Sequence, residues 1–303
     1  MKRIVLGVEL KKDLAKLFET ALLLANRYKA EVVPIHIVEH IPVFQSHSQE
    51  KLLHELIEKE LNEVISTLRL SEENFTLCDS VILKGQAHKH LPNYAENLKA
   101  NLTIIGSGNR EDGTLGHTAK RIARETQSPL WISHHNMDIE DLTRIVCAID
   151  FSEHSIATLN TAMSIARTLN SELTILHVVP EVTFYPGLSS EGVYVSPWGA
   201  TMYDLNLNEE ELSARHKVTE RIDKEEFAEF LSQFSFDGIR YQTETLHGIV
   251  DEKIIESSIA HRAGLIVMGL QGTSSFLGSL LGGTVEKVLH ELPCSLVTVP
   301  KTL

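Results

Sequence analysis

The sequence predicts an α/β protein made of two tandem copies of a doubly wound domain, each with a five-stranded, mostly parallel sheet. Three observations lead to this fold class. Residues 2–39 align with residues 143–180 without a gap, and nine of the aligned positions are identical. In each copy, short apolar runs alternate with stretches of helical periodicity, which is typical of a parallel sheet covered by helices on both faces. A glycine-rich turn follows a strand at the matching point of each copy.

The first copy is predicted to hold five strands joined by helices. Each strand is a short apolar run, which favours a buried strand of a parallel sheet. The predicted strands lie near residues 3–8, 31–38, 76–84, 102–106 and 130–133. Residues 134–142 form a short polar linker, so the expected domains are 1–136 and 142–303.

The second copy shows the same order of elements. The predicted strands are 144–149, 172–179, 239–246, 265–268 and 295–299, and the predicted helices are 152–169, 208–234, 249–263 and 284–290. Ser152 is a suitable N-cap for the first of these helices. Residues 180–207 have no counterpart of equal length in the first copy. This segment is either a lid or dimer contact, or a loop folded back over the long helix, and both alternatives remain open.

Composition limits the function classes. The formal charge is −13, and most of the acidic excess lies in residues 143–303. Such a charge argues against a general nucleic-acid surface, which needs basic residues. No apolar run approaches the ~20 residues that span a membrane, and the N-terminus lacks the pattern of a signal peptide. Cys78, Cys147 and Cys294 are far apart and form no CxxC, so we expect buried thiols and a cytoplasmic location.

The turn after residue 268 is the strongest functional signal. Gly269 and Gly272 follow an apolar strand, and Gly282 and Gly283 precede a helix that starts at Thr284. A strand, a glycine-rich loop and a helix N-terminus together suit a phosphate, because free N–H groups and the helix dipole point at the anion. Basic side chains are scarce in this copy, so backbone amides, the helix end or a metal must supply the positive field.

These residues resemble a known family. Gly269-x2-Gly272-x9-Gly282 resembles the Gly-x2-Gly-x9-Gly-Ser/Thr signature of the ATP-binding universal stress proteins. Residues 145–155, 176–179 and 293–300 are also similar to that family, and the resemblance covers nearly the whole chain as two copies. It implies a Rossmann-like fold of the adenine nucleotide alpha hydrolase type, with the two domains paired as a pseudo-dimer. It also implies a role in stress survival and binding of ATP or AMP, with or without Mg²⁺.

The resemblance also implies a set of nucleotide-binding residues in the second copy. Asp150 would lie against the nucleoside, Val178 would touch the adenine, and the glycines would wrap the ribose and phosphates. One position departs from the family, because Gly283 stands where the signature has Ser or Thr. The full implied set is Ala148, Ile149, Asp150, Val178, Gly269, Gly272, Gly282, Gly283 and Thr284.

The first copy departs further from the signature. Glu9 stands at the position of Asp150, and Asn109 replaces the second glycine. The loop from Gly106 to Gly116 is three residues shorter than the loop from Gly269 to Gly282. We therefore expect the first copy to be free of nucleotide or to bind something smaller, and to complete the pseudo-dimer.

Simpler roles compete with binding for several residues. Asp150 is either a ligand contact or a solvated or capping residue before the helix. His36 and His177 occupy matching strands and favour core histidines bonded to the backbone. No histidine cluster has zinc spacing. The sequence has no P-loop, no nucleophile elbow and no catalytic triad, so strong ATP hydrolysis is not expected.

The favoured function is therefore a stress-response sensor or switch that binds an adenine nucleotide. The alternatives are an oligomerisation or interaction module without nucleotide, and a weak ATPase. A homodimer through the domain edges is a further expectation, and neither nucleic acid nor membrane is expected as a partner.

Overall fold

The computed structural model describes residues 1–10, 14–39, 47–70, 74–108, 115–136, 138–180, 194–195, 201–202, 224–270 and 282–301. Below, "first half" means residues 1–136 and "second half" means residues 142–303. Both halves alternate strands and helices, as the sequence predicts.

The first half contains six strands and four helices in its described part. In chain order they are β1 (Arg3–Gly7), α1 (Ala15–Tyr28), β2 (Glu31–Val38), α2 (His47–Leu70), β3 (Thr76–Leu77), β4 (Val81–Lys84), α3 (Ala87–Asn97), β5 (Leu102–Gly106), α4 (His117–Glu125) and β6 (Leu130–Ser133). A short 3₁₀ helix, Ile139–Thr143, then leads into the second half.

The second half repeats this pattern. Its described elements are β7 (Arg144–Ile149), α5 (Glu153–Leu169), β8 (Glu172–Pro180), β9 (Tyr194–Val195), β10 (Thr201–Met202), a helix α6 described over 224–232, β11 (Arg240–Gly248), α7 (Val250–Ala260), β12 (Leu265–Gly269), α8 (Gly283–Glu291) and β13 (Ser295–Val299). The short strands β9 and β10 pair only with each other among the described residues.

The main strands form one continuous sheet. The strand order is β11-β8-β7-β12-β13-β6-β5-β1-β2-β3, and β4 also pairs with β2. Within each half the pairing is parallel, whereas β6 and β13 pair antiparallel, with Trp131 opposite Val297. The sheets of the two halves, with six and five strands, therefore join at the centre, which is the pseudo-dimer that the sequence resemblance implies.

Helices cover both faces of this sheet, and each face has its own apolar core. One core includes Trp131, Leu24 and Ile149 and lies under α1, α5 and α6. The other includes Val178, Leu176 and Met268 and lies under α3, α4, α7 and α8. Because successive strand residues point to opposite faces, neighbouring apolar residues of each strand enter different cores. This double burial explains the continuous apolar runs in the sequence.

Several predicted bounds differ from the observed ones. The predicted strand 76–84 is two short strands, because β4 pairs further along β2, with Val81 opposite Ile35, than β3 does. The helix predicted over 249–263 ends at Ala260, and Arg262 has a left-handed φ of 49°, which cannot continue a helix. Residues 208–223 of the predicted long helix and most of the 180–207 segment lie outside the described residues.

In the described part of the chain, no helix is both long enough and apolar enough to cross a membrane.

Candidate functional site

The predicted site lies where the parallel strands of the second half end. We call this the second edge: the carboxyl ends of β7, β8 and β12 and the start of α8. Strand β7 pairs with both β8 and β12, with Ile149 opposite His177 and Ala148 opposite Met268. The sheet therefore brings the ends of these strands to one place. Ligands of open α/β sheets bind at such carboxyl ends.

The start of α8 is tied to the end of β12 by backbone hydrogen bonds. Gly282 is the N-cap, and its N–H donates to the Leu270 carbonyl oxygen at 3.0 Å. Leu270 in turn donates to the Val299 carbonyl oxygen at 2.9 Å. The next three N–H groups, from Gly283 to Val285, have no partner inside the helix, as at the start of any α-helix. The end of β12 and the positive end of α8 are thus held side by side.

Gly282 and Gly283 leave room next to these N–H groups. A Cβ on Gly282 would come within 3.5 Å of the Leu270 carbonyl oxygen, and a Cβ on Gly283 would meet no atom within 4 Å. Thr284 follows in the first turn. The residues that connect β12 to α8, 271–281, lie outside the described residues, and Gly272 is one of them. Gly282 and Gly283 therefore leave space for a ligand to reach the N–H groups at the start of α8. The role of Gly272 stays a prediction.

One acidic residue stands close to this helix start. Glu286 lies in the first turn of α8, where its carboxylate opposes an incoming anion. The Arg124 guanidinium, on α4 of the first half, forms an ion pair with Glu286. Because Arg124 partly neutralises this carboxylate, the first half contributes positive charge to the second edge.

The predicted residues on β7 and β8 separate onto the two faces of the sheet. Ala148 and Val178 pack with the core under α7 and α8, on the same side as Gly282. Ile149 packs with the opposite core, and its carbonyl oxygen accepts a hydrogen bond from His177 Nδ1 at 3.1 Å. Ala148 and Val178 can therefore line a pocket together with α8, whereas the Ile149 side chain faces away from it.

Asp150 has a clear structural role at the end of β7. Its Oδ1 accepts hydrogen bonds from Ser152 Oγ at 2.6 Å, Ser155 Oγ at 2.8 Å and the Ser152 N–H at 3.2 Å. The Asp150 N–H donates to Ser155 Oγ at 2.9 Å. Ser152 occupies the N-cap position of α5, as predicted, but its hydroxyl bonds Asp150 and does not cap the helix. The sequence analysis missed this network, although the Asp-x-Ser-x-x-Ser spacing was a signal for it.

Phe151 follows Asp150 in an unusual backbone conformation. Its φ is 58°, a value that a bulky residue rarely adopts. The ring stacks on His177, with centroids 4.1 Å apart, and also contacts Phe227 and Phe230. These contacts hold the backbone turn that presents Asp150 at the edge. Periodicity alone gave no sign of this turn.

The paired histidines of the two halves bond to the backbone. His36 Nδ1 donates to the Val8 carbonyl oxygen at 2.8 Å, and His177 makes the matching bond to Ile149. The expected bonds to the backbone are confirmed, and both side chains are half-buried. Among the described residues, no three His, Cys, Asp or Glu side chains lie together so as to hold a metal ion.

The matching edge of the first half contains a cavity of about 960 Å³. We call this the first edge: the carboxyl ends of β1, β2 and β5 and the start of α4. Gly116, the N-cap of α4, donates to the Ser107 carbonyl oxygen at 3.2 Å, and Ser107 donates to Ser133 at 2.9 Å. This is the arrangement of the second edge at equivalent positions. The backbone hydrogen bonds at the helix start are therefore the same in both halves, although the loop of the first half is shorter. The expectation that the first half is free of nucleotide or binds something smaller stays a prediction.

The sequence pattern of the universal stress protein family matches residues 1–134 and 142–300. A universal stress protein of Methanocaldococcus jannaschii is 29% identical over 158 residues, which cover 52% of this chain and 82% of that protein.

The solved structures that match over almost the whole chain include two with a TM-score of 0.68. A universal stress protein from Archaeoglobus fulgidus has a TM-score of 0.68 and 18% identity, with 99% of this chain and 98% of that chain covered. A functionally unknown protein from Pseudomonas aeruginosa has a TM-score of 0.68 and 16% identity, with 99% and 92% covered. At these identities the likeness shows the fold alone.

Two shorter universal stress proteins were solved with adenine nucleotides. One is in complex with cAMP, and the other, from Archaeoglobus fulgidus, is in complex with dAMP. Each has a TM-score of 0.34 and covers less than half of this chain, at 17% and 16% identity. A likeness of this degree says nothing about the ligand of this chain.

Proposed function

The chain belongs to the universal stress protein family, and on that premise we propose that its second half binds ATP or AMP and acts as a stress-response sensor or switch. The observation that carries this proposal is the start of α8, where Gly282 and Gly283 leave the helix N-terminus open beside the end of β12. The Gly-x2-Gly-x9-Gly spacing of the sequence supports the same site.

The proposed nucleotide lies along the second edge. The phosphates bind the N–H groups of Gly283 and Thr284, where the helix dipole is positive. The adenine lies against Ala148 and Val178, and Asp150, held by its two serines, faces the ribose. Gly269 and Gly272 complete the loop around the phosphates. Phosphate binding by N–H groups does not need the hydroxyl that Gly283 lacks.

The proposed role is binding and not rapid catalysis. Charge at a γ-phosphate would need a lysine or a metal to stabilise it during transfer. The glycines of the second edge supply neither group, so at most slow ATP hydrolysis is expected. When Mg²⁺ accompanies the nucleotide, its ligands come mainly from the phosphates and water.

Pairing of two chains through the sheet edges is part of the proposal. Strand β11 lies at one end of the described sheet, and Tyr241 on it is 46% exposed. An edge strand offers unpaired backbone groups to a second chain. Light scattering with and without ATP tests this pairing.

A matched pair of variants tests nucleotide binding. Gly282→Leu places a side chain beside the N–H groups of α8, and Gly116→Leu makes the same change at the first edge. We expect Gly282→Leu to weaken ATP binding on the order of 100-fold, because charge-assisted hydrogen bonds to the phosphates are lost. Gly116→Leu should leave the affinity unchanged. Isothermal titration calorimetry gives the affinity, and circular dichroism checks the fold.

Gly283→Leu is the second variant, since a Cβ there meets no atom within 4 Å. An unchanged ATP affinity in both Gly282→Leu and Gly283→Leu contradicts the site. If the wild-type chain gives no heat with ATP and Mg²⁺, the interaction module without nucleotide becomes the better account.

A further inference from the structure

The cavity at the first edge is large enough for a small organic ligand. Its volume of about 960 Å³ lies at the upper end of the range that ligand pockets occupy, roughly 300–1,000 Å³. It runs from the ends of β1 and β2, beside α2, to the end of β5 and the start of α4. The two ends of the cavity differ in chemistry, and this difference indicates the class of ligand.

The end beside α2 is lined mainly by apolar side chains, although Glu60 of the same helix also lines it. Leu53, Leu56 and Ile57, at helical spacing, line the cavity from α2, and Leu14 and Leu17 line it from the α1 side. Leu56 is 55% exposed. The buried part of α2 lies further along the helix, at residues 61 and 65. The first turns of α2 therefore present apolar side chains to the cavity.

The other end is polar and has no carboxylate among its described lining residues. Its side chains are those of Ser107, His117, Thr118, Ser133, His135 and Asn136. The start of α4 also points here, with N–H groups that lack partners inside the helix and no acidic residue in its first turn. This end therefore suits a negatively charged head group.

Two of the described acidic residues of the cavity lie on the side of α2, and the third lies between the two ends, because β1 is the strand between β2 and β5. Glu9 follows β1, Glu39 follows β2 and Glu60 lies on α2. Glu39 Oε1 accepts a hydrogen bond from the Ala87 N–H at 2.8 Å. The ammonium of Lys16 is already paired with Glu19 at 3.1 Å and with Asp138. A polyphosphate lying along this cavity would meet three carboxylates, whereas an uncharged chain would not be repelled.

We propose that the first-edge cavity binds a small amphipathic anion, such as a medium-length alkyl carboxylate. The chain packs against Leu53, Leu56 and Ile57, and the carboxylate lies at the start of α4 beside Ser107 and His117. Burial of each CH₂ group contributes about 0.8 kcal/mol, so the alkyl chain supplies most of the affinity. This site concerns the other half and another ligand class than the nucleotide site, and it does not depend on that site.

Calorimetry of the full chain with dodecanoate tests the ligand class. We expect saturable binding of one dodecanoate per chain. Acetate lacks the alkyl chain and dodecylammonium carries the opposite charge, so both should bind at least tenfold more weakly. Saturating ATP should leave the dodecanoate affinity unchanged. Competition by ATP overturns the proposal in favour of a second nucleotide site, and uptake of many dodecanoate ions without saturation overturns it as well.

Two leucines of α2 provide a matched pair of variants. Leu56 lines the cavity and is 55% exposed, whereas Leu52 is 57% exposed on the same helix and is not among the lining residues. Leu56→Asp should weaken dodecanoate binding at least tenfold, and Leu52→Asp should not change it. Both positions are exposed, so both variants should fold. If the two variants bind dodecanoate with equal affinity, the alkyl chain does not pack against Leu56 and the proposal is overturned.

A charge change at the polar end tests the head group. His117 is exposed at the first position of α4. His117→Glu places a carboxylate beside the proposed head group and should weaken dodecanoate binding about tenfold while it strengthens dodecylammonium binding. An unchanged preference between the two probes contradicts the placement of the carboxylate.

Discussion

At the first edge Gly116 donates its N–H to Ser107, and at the second edge Gly282 makes the same bond to Leu270. Gly85 and Gly248 hold matching positive φ values of 128° and 142° before α3 and α7. The side chains around these matching backbone arrangements differ between the two edges. The second edge has Asp150 bound to two serines, whereas the first half has Glu9 in place of Asp150 and, at the aligned sequence positions, Lys11 and Leu14 in place of the serines.

This comparison shows which property belongs to the fold and which to the side chains. The repeated hydrogen bonds keep a helix N-terminus beside a strand end in both halves, even though one loop is three residues shorter. The side chains that line each edge then determine which class of ligand suits it. An aspartate fixed by hydroxyl groups suits a nucleoside, and an apolar helix face suits an alkyl chain.

The largest expected effect comes from the junction that holds the two edges in one sheet. Trp131 on β6 is fully buried opposite Val297 of β13. Trp131→Ala should lower the free energy of unfolding by about 3–5 kcal/mol, because it leaves a large cavity in a core that both halves share. Urea denaturation followed by circular dichroism measures the change, and a single transition is expected.

Trp131→Phe is the control for this variant. The Trp131 Nε1 has no hydrogen-bond partner among the described residues, so phenylalanine loses volume but no hydrogen bond. Its effect should be much smaller than that of alanine. Two well-separated transitions in Trp131→Ala would show that the two edges belong to independently stable halves.

A smaller effect is expected at the serine that fixes Asp150. Ser155 is 4% exposed, and its hydroxyl bonds both the N–H and Oδ1 of Asp150. Ser155→Ala should lower the free energy of unfolding by about 1–3 kcal/mol and weaken ATP binding severalfold, because buried polar groups lose a partner. Calorimetry with ATP measures the second effect.

Thr158→Val is the control on the same helix. The Thr158 hydroxyl is also buried, but it donates to the His154 carbonyl oxygen of α5, at 3.0 Å, and has no bond to Asp150 among the described residues. We expect a similar loss of stability with no change in ATP affinity. If both variants weaken ATP binding equally, the effect does not depend on the bonds between Ser155 and Asp150, and the proposed contact of Asp150 with the nucleotide is contradicted.

The smallest expected effect is a pH dependence at the connection between the two edges. Burial, followed by the neighbouring His135, lowers the pKa of His134 to about 4. Its Nδ1 accepts the Asn136 N–H at 3.2 Å, which requires the unprotonated nitrogen. Since the folded state takes up its proton only near pH 4, stability is full above about 6.5 and falls as the pH drops from 6.5 to 4.

His134→Asn removes this titration and keeps an acceptor for Asn136. Between pH 6.5 and pH 4 the wild-type chain should lose about 1 kcal/mol more unfolding free energy than the variant, a figure reduced for partial exposure. Urea denaturation at both pH values measures this difference. If the unfolding free energies of the two proteins fall equally between pH 6.5 and pH 4, the pKa of His134 is not lowered in the folded state.

Much of the fold could be predicted because strands and helices have local signals. The runs 31–38, 102–106, 130–133 and 295–299 are observed with these bounds. The antiparallel pairing of β6 with β13 had no such signal, since it depends on residues far apart in the chain.

The candidate site was predictable only in part. The glycines and Asp150 stand in a recognisable pattern, and the structure brings the described ones to one edge. The first-edge cavity was not predicted, because it depends on how α2 lies over the ends of β1 and β2. The left-handed turn at Phe151 depends on ring contacts with His177 and α6 that join separate parts of the chain.

One titration tests most directly the claim that the two edges bind different ligands. ATP is titrated into the full chain by calorimetry, first alone and then with dodecanoate at saturation, and the bound nucleotide is identified by mass spectrometry. We expect one ATP per chain in both titrations, with the same affinity. Two ATP per chain, with one displaced by dodecanoate, would contradict it and would make both edges nucleotide sites.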